Sequence, residues 1–288
     1  SIDLSLEGKC CTAAALLGND RLLAGFACGT VAVFELGDAL RRRAAPLFDR
    51  SVAAVWARPG TAVFVACDVG GRVVVASTEE LTALRQLNAP TGQNTVSNTD
   101  GLFFRPPVAA AFDPHIDEFA LSFAELGAVG VYSLEDLQPR AKYPTSCTVT
   151  RLVYNRFVSG ELAAIADDSI RFFSSTPYQT LPSSHRPHPD ATPLDLVYID
   201  WNLVISSADD GSIALWRTDQ PGNLKVVAFG NSPVESLVYS VEMKTLFASS
   251  RDGLVAFDIK IQNLAPNPLE LLDKGVSEVS PDFVQPPG

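Results

Sequence analysis

ISSADDGSIALWRTD, residues 205–219, is the stretch whose reading decides the fold. An apolar run gives way to small residues, an Asp-Asp-Gly turn follows, and a second apolar run ends on Trp216. β-Branched and aromatic residues on both sides of a tight Gly-containing turn predict two antiparallel strands. FASSRDGLVAFD, residues 247–258, repeats the pattern 42 residues further on.

Working outward, the run after the turn recurs six times: GTVAVFEL from Gly29, GRVVVAST from Gly71, GAVGVYSL from Gly127, DSIRFFSS from Asp168, GSIALWRT from Gly211 and GLVAFDIK from Gly253. The intervals are 42, 56, 41, 43 and 42 residues. Each copy is preceded by a second run, as in LLAGFACG or LVISSADDG, and before that by a third, as in VAAVWARPG or LDLVYIDW. Helical repeats of this length would space their apolar residues by three and four, whereas these segments alternate or stay apolar over a strand length. Three legible strands and a variable fourth per unit predict an all-β fold built from blades, in which a sheet that cannot bury both faces alone is covered by its neighbours.

These residues resemble the WD-repeat family, most clearly at 205–219 and 247–258, with weaker copies ending at Phe34, Tyr132 and Phe173. The resemblance spans residues 9–258 and implies a WD-repeat-like β-propeller with six readable blades, seven being the alternative. The chain departs from the family in having no Gly-His dipeptide and no Trp-Asp pair, and the Gly71 copy carries Ala76 where an aromatic is expected. The family's buried Asp-His-Ser-Trp network is therefore expected to be missing, leaving the blades to rest on apolar packing.

The expected organisation is one propeller domain over residues 1–258. Ile2, Leu4 and Leu6 alternate in SIDLSLEG and suit a strand that closes the last blade. Residues 259–288 hold five prolines and read as a tail or an irregular extra blade. The 56-residue interval contains a polar inserted loop at 86–101, with Asn94 and Asn98 as candidate contacts. SSTPYQTLPSSHRPHPDATP, residues 174–193, reads as a second long outer loop, with Tyr178, His185 and His188 as candidate contacts.

Composition narrows the function. A hydrophobic fraction of 47% supports a large core, and a formal charge of -11 disfavours phosphate backbones and anionic lipid. No uncharged apolar run is long enough to span a bilayer, and the first residues lack the order of a secretory signal, so a soluble intracellular protein, cytoplasmic or nuclear, is expected. The five cysteines show no metal-ligand spacing, and Cys10, Cys11, Cys28, Cys67 and Cys147 are expected as small buried hydrophobes in a reducing compartment.

Catalytic signals are sparse. His185, His188 and Asp190 could in principle ligate a metal, but prolines at 187 and 189 hold them extended. His115 in FDPHIDEF fits a hairpin turn, and Asp68, Asp168, Asp209, Asp210 and Asp252 recur where a carboxylate accepts turn N–H groups. The Asp-box of sialidase propellers is a poor match, because Trp216 stands five residues after Gly211. Neither a phosphate-binding glycine loop nor a GxSxG elbow occurs. Arg41, Arg42 and Arg43 form the one basic concentration, either a solvated edge or a docking point for an acidic partner or phosphate.

No catalytic residue, cofactor or metal is assigned. The expected function is a non-catalytic scaffold that binds other proteins of a stable complex, with no direct nucleic-acid contact and no membrane insertion. Among WD-repeat proteins the chain resembles the compact propellers of vesicle coats and nuclear-pore scaffolds, and an enzyme or ligand binder using a central funnel is the alternative.

Overall fold

The computed structural model describes residues 9–259 apart from 19, 36–40, 59, 88–105, 124–126, 176, 221 and 229. Among these there is no helix, and successive strands make six sheets, five of four strands and one of three. The first sheet holds β1 (Cys11–Leu16), β2 (Arg21–Phe26), β3 (Thr30–Glu35) and β4 (Arg41–Pro46). The second holds β5 (Val52–Ala57), β6 (Val63–Asp68), β7 (Val73–Ser77) and β8 (Ala83–Leu87). β9 (Ala109–Phe112), β10 (Glu118–Phe123), β11 (Ala128–Ser133) and β12 (Pro139–Pro144) form the third. The fourth comprises β13 (Val149–Tyr154), β14 (Glu161–Ala166), β15 (Ser169–Ser175) and β16 (Tyr178–His185). The fifth contains β17 (Pro193–Asp200), β18 (Leu203–Ala208), β19 (Ser212–Arg217) and β20 (Asn223–Ala228), and the sixth β21 (Val234–Ser240), β22 (Thr245–Ser250) and β23 (Gly253–Asp258). In every sheet the strands lie in chain order, so the six repeated runs all occupy the third place.

The turn before the third strand explains its glycine. Gly29, Gly71 and Gly211 share a φ of 82°, in the left-handed region where a Cβ is costly. At Gly29 a Cβ would also stand 2.0 Å from the Phe48 carbonyl oxygen, so both conformation and space demand glycine there.

Two compact units divide the chain, residues 1–154 and 155–288. In the first, β1 and β2 pack on β5, β5 meets β9, and β13 packs on β9 and β10. Leu23, Val31, Val33, Val52, Val55 and Phe64 fill the interface between the first two sheets, and Val65, Val73, Phe119, Leu121 and Tyr132 the next. Gly25 lets β2 approach β5, since its Cβ would lie 2.4 Å from Val52 Cγ1. Ala76 is accommodated by its cross-strand partner Phe64, which occupies the same core and supplies the missing bulk. Polar staples add direction: Thr12 Oγ1 donates to Val52 O at 2.7 Å, and Ser122 Oγ to Val149 O at 3.0 Å.

In the second unit Ile199, Leu203, Ile205, Val234, Leu237 and Leu246 join the fifth and sixth sheets. Ser207 Oγ donates to Val234 O at 2.9 Å, and Asp195 Oδ2 accepts Leu237 N–H at 2.9 Å. Each fully buried aliphatic or aromatic side chain stabilises by about 1.5–3 kcal/mol, against about 1 kcal/mol net for a hydrogen bond. Apolar packing therefore supplies most of the inter-sheet free energy, while the staples fix how the sheets meet.

Several expectations need correction. Residues 174–193 are not one long loop: Ser174 and Ser175 end β15, Tyr178–His185 form β16, and Pro193 opens β17. An outer strand tolerates Pro182 because one of its edges makes no ladder bonds. Gln86 and Leu87 belong to β8, whereas 88–101 of the expected insertion, with Asn94 and Asn98, lie outside the described residues. Only Cys67 is buried; Cys10 and Cys11 are exposed and Cys28 and Cys147 partly so, because the start of β1 and the turn at Cys28 lie at the surface. Ile2, Leu4, Leu6 and residues 260–288 are outside the described residues.

Candidate functional site

Trp216 is the penultimate residue of β19 and is 1% exposed. Its indole Nε1 donates to Ser206 Oγ on β18 at 3.0 Å, and Ser206 Oγ lies 2.9 Å from His188 Nε2. His188 Nδ1 is 2.7 Å from Ser212 Oγ, whose backbone N–H donates to Asp210 Oδ1 at 2.9 Å. Ser206 is fully buried, and its hydroxyl bridges the indole of Trp216 and the imidazole of His188. The network runs from the Trp216 indole through Ser206, His188 and Ser212 to the Asp210 carboxylate. Burial, the largest effect, pushes the His188 pKa below that of free imidazole despite the opposing pull of Asp210 and Asp209. Partial burial works against ionised Asp210, but the Ser212 hydroxyl and amide and His188 outweigh it and hold the carboxyl below its ordinary range.

An Asp-His-Ser-Trp network of the kind expected to be missing is present in the fifth sheet, with Ser212 between His188 and an exposed Asp210. A Gly-His dipeptide is unnecessary, because His188-Pro189-Asp190 before β17 brings the ring to the same inner strands. His188 is 3% exposed with both nitrogens engaged, so it is neither a loop contact nor an available base. His185 on β16 stacks on Trp216 at 5.0 Å between ring centroids and donates from Nε2 to Thr218 O at 3.2 Å. Its pKa is lowered by burial, against the Thr218 carbonyl. The two histidines are thus parts of a structural clamp. Of the loop contacts expected in 174–193, Tyr178 alone presents a large exposed side chain.

The acidic residues divide similarly. Asp68 Oδ1 accepts from Gly70 N and Arg72 N, both at 2.9 Å, as expected for turn carboxylates. Asp209 accepts from Thr192 N, Asp168 pairs with Arg186 at 2.6 Å, and His115 N donates to Asp113 Oδ1 in the β9–β10 turn. Among the described residues no group of three or more His, Cys, Asp or Glu converges to hold a metal ion, and no helix is long and apolar enough to cross a membrane.

What remains is surface. Three consecutive first-to-second turns of the second unit carry large exposed apolar side chains: Phe157 after β13, Trp201 after β17, and Val241 with Met243 after β21. Trp201 is 54% and Met243 64% exposed. Asn155, fully buried, holds this array: its Nδ2 donates to Trp201 O at 2.7 Å and to Glu161 Oε1 at 3.0 Å, and its Oδ1 accepts Phe157 N–H at 2.9 Å. Arg156 donates to Tyr239 O at 3.2 Å, and its guanidinium lies 5.9 Å from the Phe157 ring centroid. The turns are tied to one another through backbone carbonyls, so their apolar tips are presented on a fixed frame. Sequence reasoning missed this face, although the signal was present: a Phe, a Trp or a Met inside a tight turn has no core to enter.

Arg42 and Arg43 are exposed on β4 and Arg41 begins that strand. Arg43 donates from both Nη atoms to the carbonyls of Thr78 and Glu79 in the β7–β8 turn. The Arg42 side chain makes no hydrogen bond or ion pair among the described residues.

The chain has the β-propeller fold, with six blades. No protein-family profile and no curated protein sequence matches it. Solved structures do match. U3-55K superposes with a TM-score of 0.70 at 11% identity, over 89% of this chain and 80% of that one. The computationally designed Ika8 protein gives 0.62 at 19% identity, over 86% and 71%. The β-propeller domain of Myceliophteria thermophila Cps50 (Swd1) gives 0.60 at 12% identity, over 72% of this chain, and the match spans 65% of that domain. At such identities the likeness establishes architecture alone.

Proposed function

We propose that this chain is a non-catalytic interaction scaffold, an intracellular subunit of a larger protein assembly whose residues 1–258 act as one propeller domain. The observation that carries this reading is the array of Phe157, Trp201, Val241 and Met243, exposed on turns that Asn155 and Arg156 hold in place. Large apolar side chains held exposed on turns that are hydrogen-bonded to one another are costly to leave in water and suit a protein contact. Aromatic and Met side chains are also those enriched at interface centres. The histidines support the same reading, since His188 and His185 are engaged in packing and hydrogen bonds rather than poised for proton transfer. The likeness to the β-propeller domain of Cps50 (Swd1) supports this reading, since a ring of blades offers loops and edges on which other proteins can dock.

The test is affinity purification of the tagged chain from native extract beside Trp201→Glu and Met243→Glu variants. The reading expects a reproducible set of partner proteins with the unaltered chain and their loss with either variant, while both variants melt as the parent does. Recovery of the chain alone, or partners indifferent to both substitutions, would sink it.

A further inference from the structure

The five outer strands β4, β8, β12, β16 and β20 read RRRAAP, ALRQL, PRAKYP, YQTLPSSH and NLKVVA. Together they carry seven Lys or Arg and no Asp or Glu, on a chain of net charge -11. The acid therefore lies elsewhere, and the outer strands form a cationic set. Sheet edges need protection against stray strands, and bulges, prolines and charges all provide it. β8, β12, β16 and β20 each have a register shift against the third strand of their sheet. β4 is the exception: it pairs with β3 without interruption from Glu35↔Arg41 to Thr30↔Pro46. Among the described residues its far edge pairs with no strand and is a row of outward N–H and C=O groups, guarded by arginines and, at its last residue, by Pro46.

The geometry points to β4 as the acceptor for an extended acidic segment of a partner protein, added as a further strand beside Arg41–Pro46. This deepens the scaffold reading and rests on it. Alternate residues of β4 turn their backbone groups away from β3, so an incoming strand of about six residues, ~20 Å long, finds a matching ladder. Arg42 projects from the strand into solvent, without a partner among the described residues, where it can take a carboxylate. Arg43 is spent on the Thr78 and Glu79 carbonyls, which tie β4 to the β7–β8 turn of the neighbouring sheet. A nucleic-acid strand fits less well: β4 and β8 have no aromatic residue, and Tyr143 of β12 is buried, so nothing there stacks on bases.

The experiment is fluorescence anisotropy of a labelled peptide of about eight residues alternating Val and Glu, chosen to span β4. Comparison probes are the Val/Lys peptide, a Val/Glu peptide N-methylated at every amide so that neither edge can donate, and a single-stranded oligonucleotide of similar length. The Val/Glu peptide is expected to bind saturably and more weakly as salt rises. Arg42→Glu should weaken it about tenfold, the scale set by losing one ion contact and gaining a repulsion. Lys142→Glu on the bulged β12 should leave it unchanged. N-methylation should abolish binding, since it removes ladder donors while keeping the charge. Equal binding of the Val/Lys or N-methylated peptide, tighter binding of the oligonucleotide, or indifference to Arg42→Glu in a variant that melts normally overturns the proposal. If the peptide fails while the tagged chain still recovers partners sensitive to Trp201→Glu, this inference falls and the scaffold reading stands.

Discussion

Trp216→Ala is the sharpest probe of how the fifth sheet is held. The ring is 1% exposed, stacks on His185 at 5.0 Å and meets Phe172 edge-on at 5.9 Å between centroids. Truncating a buried large aromatic costs about 3–5 kcal/mol through lost transfer energy and the cavity left behind. The value should fall in the upper half of that range, because the change also removes the donor to buried Ser206 and uncovers the His185 ring. Trp216→Phe keeps most of the volume and should cost about 1–2 kcal/mol, near one hydrogen bond plus imperfect filling. Urea unfolding of the parent and both variants, followed by fluorescence and circular dichroism, gives midpoints and slopes. A stability of about 5–15 kcal/mol makes the Ala variant's loss large enough to read directly. A cost below about 1 kcal/mol for Trp216→Ala at unchanged slope would refute the reasoning, since no buried clamp is so cheaply removed.

Gly25→Ala should lower stability by about 1–3 kcal/mol through overpacking against Val52, and adding Val52→Ala should recover part of that loss in thermal melts. Burial lowers the pKa of His188 and of His185, so the unfolded chain binds more protons once pH drops below about 6.5. Stability is therefore complete above that pH and declines as pH falls toward the folded values, and urea midpoints across that window should slope less in His188→Gln than in the parent. Iodoacetamide should alkylate Cys28 long before Cys67, because the Thr30 hydroxyl and, less strongly, Lys9 lower the Cys28 pKa against the opposing effect of burial. Cys67, whose thiol burial pushes up to about 12, should react only on unfolding, and peptide mass mapping over time reads both sites.

The repeat was legible because third strands such as β3, β7 and β19 are covered on both faces and so must be apolar runs: Val31–Phe34, Val73–Ala76 and Ile213–Trp216 left their period in the sequence. Fourth strands were not, since an edge strand is packed on one side only and accepts Pro182, Arg42 or Lys142 without penalty. That freedom disguised Tyr178–His185 as a loop. The His188 clamp was missed for a different reason. Its members come from residues 188, 206, 210, 212 and 216, and only the turn and the tryptophan follow the repeat pattern. The apolar face was hidden because Asn155 and Trp201 are 46 residues apart, and a one-dimensional reading does not reveal that they meet.

Sedimentation of the tagged chain in native extract tests the central claim most directly. The account predicts that it travels well above the 30.8 kDa of the 288-residue chain, and that Trp201→Glu moves it toward that mass without unfolding it. A parent chain sedimenting as a lone monomer would contradict the claim that its function lies in assembly with other proteins.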